Sequence, residues 1–343
     1  AAQKEVINVP ATEEPIISIF EDPEMDETSA TLFIKRRALP KEYNNTIVAE
    51  QLALINALAS DMANARLQEI KMKPNAPFTR AHFMNGGIGI CSTLECAGVG
   101  VDTQDGKLLA GFEAAYTELE RIRRHGFTEG ELERAKNNVM KMQELAYNNR
   151  NDRKNGQYVQ RYLNAFRKNA AMPDAETEWK LDSMIIAQLP LQAINQTIAQ
   201  YITDHNQVLI VNVPKKEGLV NPTEAQLAEV LAKVKASDIA PYADNTVKEP
   251  LIPADKKLKG SAVKKESKNE ALGTTTWVLK NGLKVVVKPT KFKADEVQIA
   301  MSANFGQSSL SDELYWTSAF MPSFLGRMGV SKFTATELRK QLS

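Results

Sequence analysis

Between Asn44 and Tyr201 the apolar residues recur every three or four positions through one segment after another, and this repetition limits what the chain can fold into. Val48, Leu52, Ile55, Leu58 and Met62 mark a helix over about 44–70, which Pro74 and Pro77 end. Leu108, Phe112, Ala115, Leu119 and Ile122 form the stripe of a second helix over about 106–125, with Gly126 placed to stop it. Thr128 and Glu131 have capping-box spacing and open a third. Its phase runs through Leu132, Ala135, Val139, Met142 and Ala146 to about Arg167, with a break near Gly156. Residues 174–201 hold two more helical pieces divided near Pro190. Thr223 and Gln226 open another, with Leu227, Val230, Leu231 and Val234 on one face. Each such helix has one apolar stripe and needs a neighbouring layer to cover it.

Few segments can supply that layer. Residues 30–34 read as a strand, 86–101 as one long strand rich in Gly, Ile, Val and Cys, and 207–213 as the clearest buried strand. Further on, 274–279 and 283–287 flank Lys280-Asn281-Gly282, and Asn-Gly between apolar runs predicts a hairpin. Residues 297–305 read as another strand and 311–327 as a helix. The order is mixed rather than strictly alternating, so the expected fold class is α+β, mainly antiparallel sheet with helices packed on it.

A length of 343 residues allows about two domains. Between them, residues 243–272 lose apolar periodicity. Lys248, Lys256, Lys257, Lys259, Lys264, Lys265 and Lys268 alternate there with Pro250, Pro253, Gly260 and Ser261, which reads as a solvated linker. A formal charge of +1 gives no field for nucleic acid or an anionic membrane, and the lysine-rich stretch, with Glu249, Asp255, Glu266 and Glu270 among its lysines, is only modestly basic. No run approaches the roughly 18 apolar residues of a membrane span. The opening Ala1-Ala2-Gln3-Lys4-Glu5 has no apolar stretch, and 333–343 begins like a helix, Thr334 and Glu337 having capping-box spacing, and then stops. Both ends read as those of a piece cut from a longer chain.

The residues themselves offer little chemistry. His82, His125 and His205 have no second histidine or cysteine within helical reach, so no local pair seeds a zinc site. His125 falls at a helix C-terminus, where the macrodipole favours it, and His205 in a turn; His82 has no such account. Cys91 and Cys96, at odd spacing on one predicted strand, should point to opposite faces, which argues against a disulfide and for two small buried side chains. There is no Gly-x-Ser-x-Gly, and Gly86-Gly87-Ile88-Gly89 lacks both the phosphate-loop Lys and the dinucleotide fingerprint. Close packing or strand flexibility is the expected use of those glycines.

Several segments nevertheless resemble one family. The hairpin 277–287 (Trp-Val-Leu-Lys-Asn-Gly-Leu-Lys-Val-Val-Val) resembles the opening of a repeat half in the pitrilysin/insulinase zinc peptidases. Gly126-Phe127-Thr128-Glu129-Gly130-Glu131-Leu132-Glu133-Arg134-Ala135-Lys136 is similar to a helix start in that family's second domain, and Asn64-Ala65-Arg66-Leu67 to the end of an earlier helix there. Glu21-Asp22-Pro23-Glu24 and the strand after it fit a second-domain start. The resemblance implies pitrilysin-like (LuxS/MPP-like) α+β domains. It makes 1–19 a lead-in, 20–242 the second domain of the first half, 243–272 the linker between halves and 273–343 the truncated start of a third domain.

The family's zinc motif is His-x-x-Glu-His, two ligands on one helix face with a glutamate that polarises water. The resemblance places the working copy in a first domain upstream of Ala1. In the third domain, a copy of the first, the three positions fall on Phe320, Ser323 and Phe324, none of them a ligand. The implied parent is a zinc metalloendopeptidase that closes around peptide substrates. Zinc then belongs to the parent and none to this chain, whose partners are the missing first domain and the rest of the second half. The chain alone is expected to be inactive, without catalytic or metal-binding residues. A non-catalytic binding or assembly subunit on the same scaffold is the alternative. Family analogy alone favours the bacterial cell envelope or periplasm.

Overall fold

The computed structural model describes residues 8–89, 91–245, 249–253, 256, 259–291 and 296–342. Five strands make the main sheet: β1 (Ile16–Asp22), β2 (Thr28–Arg37), β3 (Arg80–Gly87), β4 (Leu94–Thr103) and β5 (Gln207–Pro214). They lie in the order β1-β5-β2-β4-β3, and every pairing is antiparallel except β1 with β5. Ala30, Leu32 and Ile34 of β2 alternate inward with Leu209, Val211 and Val213 of β5, which sets the register of the sheet's buried face.

The helices α1 (Ile47–Lys71), α2 (Leu108–His125) and α3 (Glu129–Asn148) bring their stripes to this face and to one another. Leu58, Met62, Phe112 and Tyr116 are fully enclosed with Leu32 and Leu209 in one core. Next come α4 (Asn155–Lys168), α5 (Ala175–Gln188), α6 (Leu191–Tyr201) and α7 (Glu224–Ala236). Each sequence-predicted cap is made. Thr128 accepts from the Glu131 amide while Glu131 accepts from the Thr128 amide, and Thr223 with Gln226 does the same. The fold is α+β with a predominantly antiparallel sheet, and among the described residues no helix is long and apolar enough to cross a membrane.

The remaining elements are β6 (Val263–Asn269), β7 (Thr274–Leu279) and β8 (Lys284–Val287), which form a separate antiparallel sheet, then α8 (Asp312–Leu325) and α9 (Ala335–Leu342). The Asn-Gly hairpin closes as expected, with Gly282 at φ +89°. Thr334 and Glu337 cap α9 reciprocally.

Four readings change. Residues 86–101 are not one strand but the end of β3, a reversal and most of β4; positive φ at Gly86 (+133°) and Gly89 (+74°) lets the backbone turn inside what looks like a continuous apolar run. Cys91 therefore sits half-exposed in the turn, with its thiol 2.9 Å from the Thr93 hydroxyl, while Cys96 is buried on β4. The close-packed glycines are others. A Cβ at Gly98 would strike the Leu32 carbonyl, and one at Gly100 would strike the ring of His82, which lies across it from β3. Secondly, β6 lies inside the expected linker; its side chains are all exposed, so it carries no apolar alternation to read. Thirdly, 16–22, not among the strands expected from the sequence, form β1 between Pro15 and Pro23. Fourthly, 297–305 forms no ladder among the described residues, and Val297, Ile299, Met301 and Phe305 are 79–90% exposed.

Arg66 of α1 is buried at 1% exposure in the middle of the helical layer. Its Nε and Nη2 donate to the two oxygens of Glu131 at 2.6 and 2.8 Å, Nη1 donates to Glu118 at 3.3 Å, and Nη2 also reaches the Gly126 carbonyl at 2.9 Å. Replacing it by Met leaves buried carboxylates without their cation, and breaking such a pair costs about 3–5 kcal/mol. Arg66→Met should lower urea-unfolding stability by that order, and adding Glu131→Gln should recover part of it. Equal stability of wild type and Arg66→Met would show that the pair is not coupled to folding.

Candidate functional site

The polar groups that converge in this molecule lie where the chain leaves α7. Arg124 of α2 donates to the carbonyls of Ser237 and Lys235 at 2.7 and 2.9 Å, Arg121 to Ala240 at 2.9 Å, and the His125 ring lies 2.6 Å from the Ile239 carbonyl. These bonds strap 235–240 across the C-terminal end of α2, and they give His125 a use beyond the helix dipole.

The strap delivers Tyr242 and Asp244 to the Arg66 cluster. The Arg66 guanidinium lies 4.1 Å from the centre of the Tyr242 ring, and the Tyr242 hydroxyl donates to Glu69 at 2.8 Å. Asp244 accepts from Arg134 of α3 at 2.9 Å. Lys340 of α9 then enters from the far end of the chain. Its ammonium donates to the Tyr242 hydroxyl at 2.8 Å and to Asp244 and Glu69 at 3.0 Å each, with its side chain 9% exposed. Burial alone would lower the Lys340 pKa, but these bonds outweigh it and hold it above the ordinary lysine range. Burial likewise raises the Tyr242 phenol. Each acid here has a cation or a hydroxyl donor, so the cluster is suited to fixing one position rather than to moving protons or attacking a substrate.

A second polar site lies between α1 and α5. Asp182 is buried near Glu50, and its Oδ1 has no hydrogen-bond partner among the described residues. Desolvation first, then the charges of Glu50 and Glu178, push its pKa up to about 7. Burial also raises Asp61 of α1, whose carboxylate accepts from Asn138.

The sequence-predicted positions fall elsewhere. Phe320, Ser323 and Phe324 all lie on α8, the two phenylalanines four residues apart on one face and 59% exposed. Two phenyl rings and a hydroxyl do not fit zinc, which takes thiolate, imidazole or carboxylate donors. His82 is on β3, His125 ends α2 and His205 precedes β5, so the structure does not bring the three into one element. Among the described residues no group of three or more His, Cys, Asp and Glu side chains could hold a metal ion. Tyr242, Asp244 and Lys340 went unread because their contacts span 96 to 271 residues and no local pattern marks them.

No family model matches the chain. A zinc protease PQQL-like protein of Arabidopsis thaliana is 20% identical over 97% of this chain and 32% of its own length. Among solved structures, the periplasmic protease PqqL from Escherichia coli superposes with a TM-score of 0.60 at 15% identity, over 99% of this chain and 37% of that one. At these identities the likeness is one of fold, that of pitrilysin/insulinase-type peptidases. A structure of the first half of PqqL gives 0.59 at 17% identity, over 71% of this chain and 51% of that one. A predicted insulinase family protease from Yersinia pestis gives 0.56 at 15%, over 68% and 49%. The chain spans about a third of the length of the full-length relatives it matches. Of the quoted segments, 64–67 and 126–136 are the two that Arg66 and Glu131 bring into contact.

Two outcomes are expected. Lys340→Met should speed hydrogen exchange of the α9 amides while leaving α1 and α2 protected; unchanged α9 exchange would mean that apolar packing holds the helix. For Asp182, a pKa of about 7 in the fold against about 3.9 unfolded means that its contribution is full at low pH and is lost as pH rises through 7. Thermal stability should therefore fall from about pH 4 to about pH 7 and level off above that, and Asp182→Asn should flatten that slope. An identical slope in the variant would remove Asp182 from the account.

Proposed function

We propose that this chain is the non-catalytic middle of a two-half zinc peptidase of the pitrilysin/insulinase type, supplying chamber wall and hinge while hydrolysis takes place in an upstream domain. On this reading 20–242 are the second domain of the first half, 243–272 join the halves and 273–343 begin the third domain. The carrying observation is the difference in coverage: the first half of PqqL accounts for 71% of this chain, the whole of PqqL for 99%. The part beyond the first-half match is about what 243–343 would contribute. The lack of a zinc donor at Phe320, Ser323 and Phe324 supports an inactive third-domain copy, and zinc in the parent follows from the relative's name alone. A peptide substrate and a periplasmic setting rest on the same kinship. Asp244, near the start of 243–272, is docked on Arg134 and Lys340. The pivot between halves would thus begin after residue 245.

The second reading, a binding or assembly subunit on the same scaffold, is favoured by the saturated polar cluster of Arg66, Tyr242, Asp244 and Lys340. Zinc content of the full-length native protein, measured by elemental analysis after loosely bound metal is removed, separates them. About one zinc per chain supports the peptidase reading; none supports the assembly reading. The 343-residue chain itself should hold no stoichiometric zinc and cleave no peptide, and one tight zinc per chain would overturn the proposal.

A further inference from the structure

Helix α4 is mounted inside out. Tyr158, Val159, Tyr162, Leu163 and Phe166 recur at helical spacing on one face and are 38–86% exposed, with Phe166 the most open; no residue of the helix is buried. Arg161 and Ala165 are the least exposed residues of the helix. Gln157, Tyr158, Gln160, Arg161 and Asn164 line a groove of about 620 Å³ with Ala146 of α3. Arg161 donates to Glu178 at 2.8 Å and to the Pro173 carbonyl. At the C-terminal end Asn44 donates to the Lys168 carbonyl at 2.8 Å and Asn169 to the Lys41 carbonyl at 3.3 Å. Those bonds hold α4 in place by its polar side and leave its apolar side outward, next to the segment that carries the exposed Tyr43, Ile47 and Val48.

The charge of this region differs from that of the chain. Residues 149–172 contain Arg150, Arg153, Lys154, Arg161, Arg167 and Lys168 against the single acid Asp152, whereas the whole chain is +1. Glu178 engages Arg153 and Arg161, while Lys154, Arg167 and Lys168 are exposed at the two ends of the helix. A short helix with an aromatic outer face and basic ends has the composition of an interfacial helix. Tyr158 borders the groove, while Val159, Tyr162, Leu163 and Phe166 stand outside it on the convex surface of the helix and form no cleft. A planar anionic surface fits both the convexity and the charge. From this geometry we propose that α4 docks the protein onto an anionic lipid bilayer, Tyr162 and Phe166 entering the headgroup region and the basic ends meeting lipid phosphates. This inference does not depend on the peptidase reading.

The test uses the 343-residue chain and vesicles of phosphatidylglycerol with phosphatidylcholine, compared with phosphatidylcholine alone, by co-sedimentation at two salt concentrations. Binding only to the anionic vesicles, weakened by salt, is expected. Tyr162→Ser with Phe166→Ser should weaken it by about tenfold or more, since each ring removed forfeits apolar burial. Arg167→Glu with Lys168→Glu should abolish the preference for anionic lipid. Lys264→Glu with Lys265→Glu on β6 should leave binding unchanged, and circular dichroism checks that all variants fold. No binding, or binding that survives the loss of both rings, overturns the proposal. So does a dimer in sedimentation velocity that the serine variant dissociates, because a second copy then covers the face. Failure of the full-length protein to bind where this chain does would assign the face to another part of the same molecule and also overturn it.

Discussion

The guanidinium of Arg66 is the contact on which the helical layer depends. A buried cation is tolerable only when its donors are filled, and here Glu131 takes the fork bidentately, Glu118 and the Gly126 carbonyl take the rest, and the Tyr242 ring covers one face. Such a cluster adds little net stability compared with well-packed apolar residues, but it admits few alternative arrangements. Helices α1, α2 and α3 must therefore meet in one register, and the sheet beneath inherits it through the shared core.

Glu131 has two tasks at once. One oxygen accepts from the Thr128 amide and closes the capping box, and both oxygens hold Arg66. The start of α3 is thereby tied to the interior of α1. Gly126 makes the turn between α2 and α3 at φ +68°, where a Cβ would also strike the Asn195 side chain. Asn195 in turn binds both backbone groups of Phe127. The local stop signal, the cap and the buried pair are one piece of chain read three ways.

Around this centre, the chain organises polar contacts that fix positions rather than react. The strap over 235–240, the Tyr242–Asp244 pair and Lys340 from α9 connect residues close to the Arg66 cluster with residues near the far end. The chain spans about a third of the length of the full-length relatives it matches. The described elements leave apolar surface on α4 and on α8 outward.

The sequence determined what local physics can encode. Helical periodicity, capping boxes at Thr128, Thr223 and Thr334, and the Asn281-Gly282 turn each depend on residues within a few positions, and each formed as read. The family resemblance was legible for the same reason, in short contiguous segments, and so was the donor-poor character of Phe320, Ser323 and Phe324. Tertiary structure alone decided the rest. Whether 86–101 was one strand or a hairpin depended on glycine dihedrals that composition leaves open, and 297–305 had strand composition but no neighbouring edge to pair with. β6, exposed on every residue, formed because β7 offered a ladder. The meeting of Arg66 with Glu131, and of Lys340 with Asp244, joins residues 65 and 96 positions apart. No periodicity carries such a pairing, because a buried charge finds its partner only once the apolar core has folded the distant segments together.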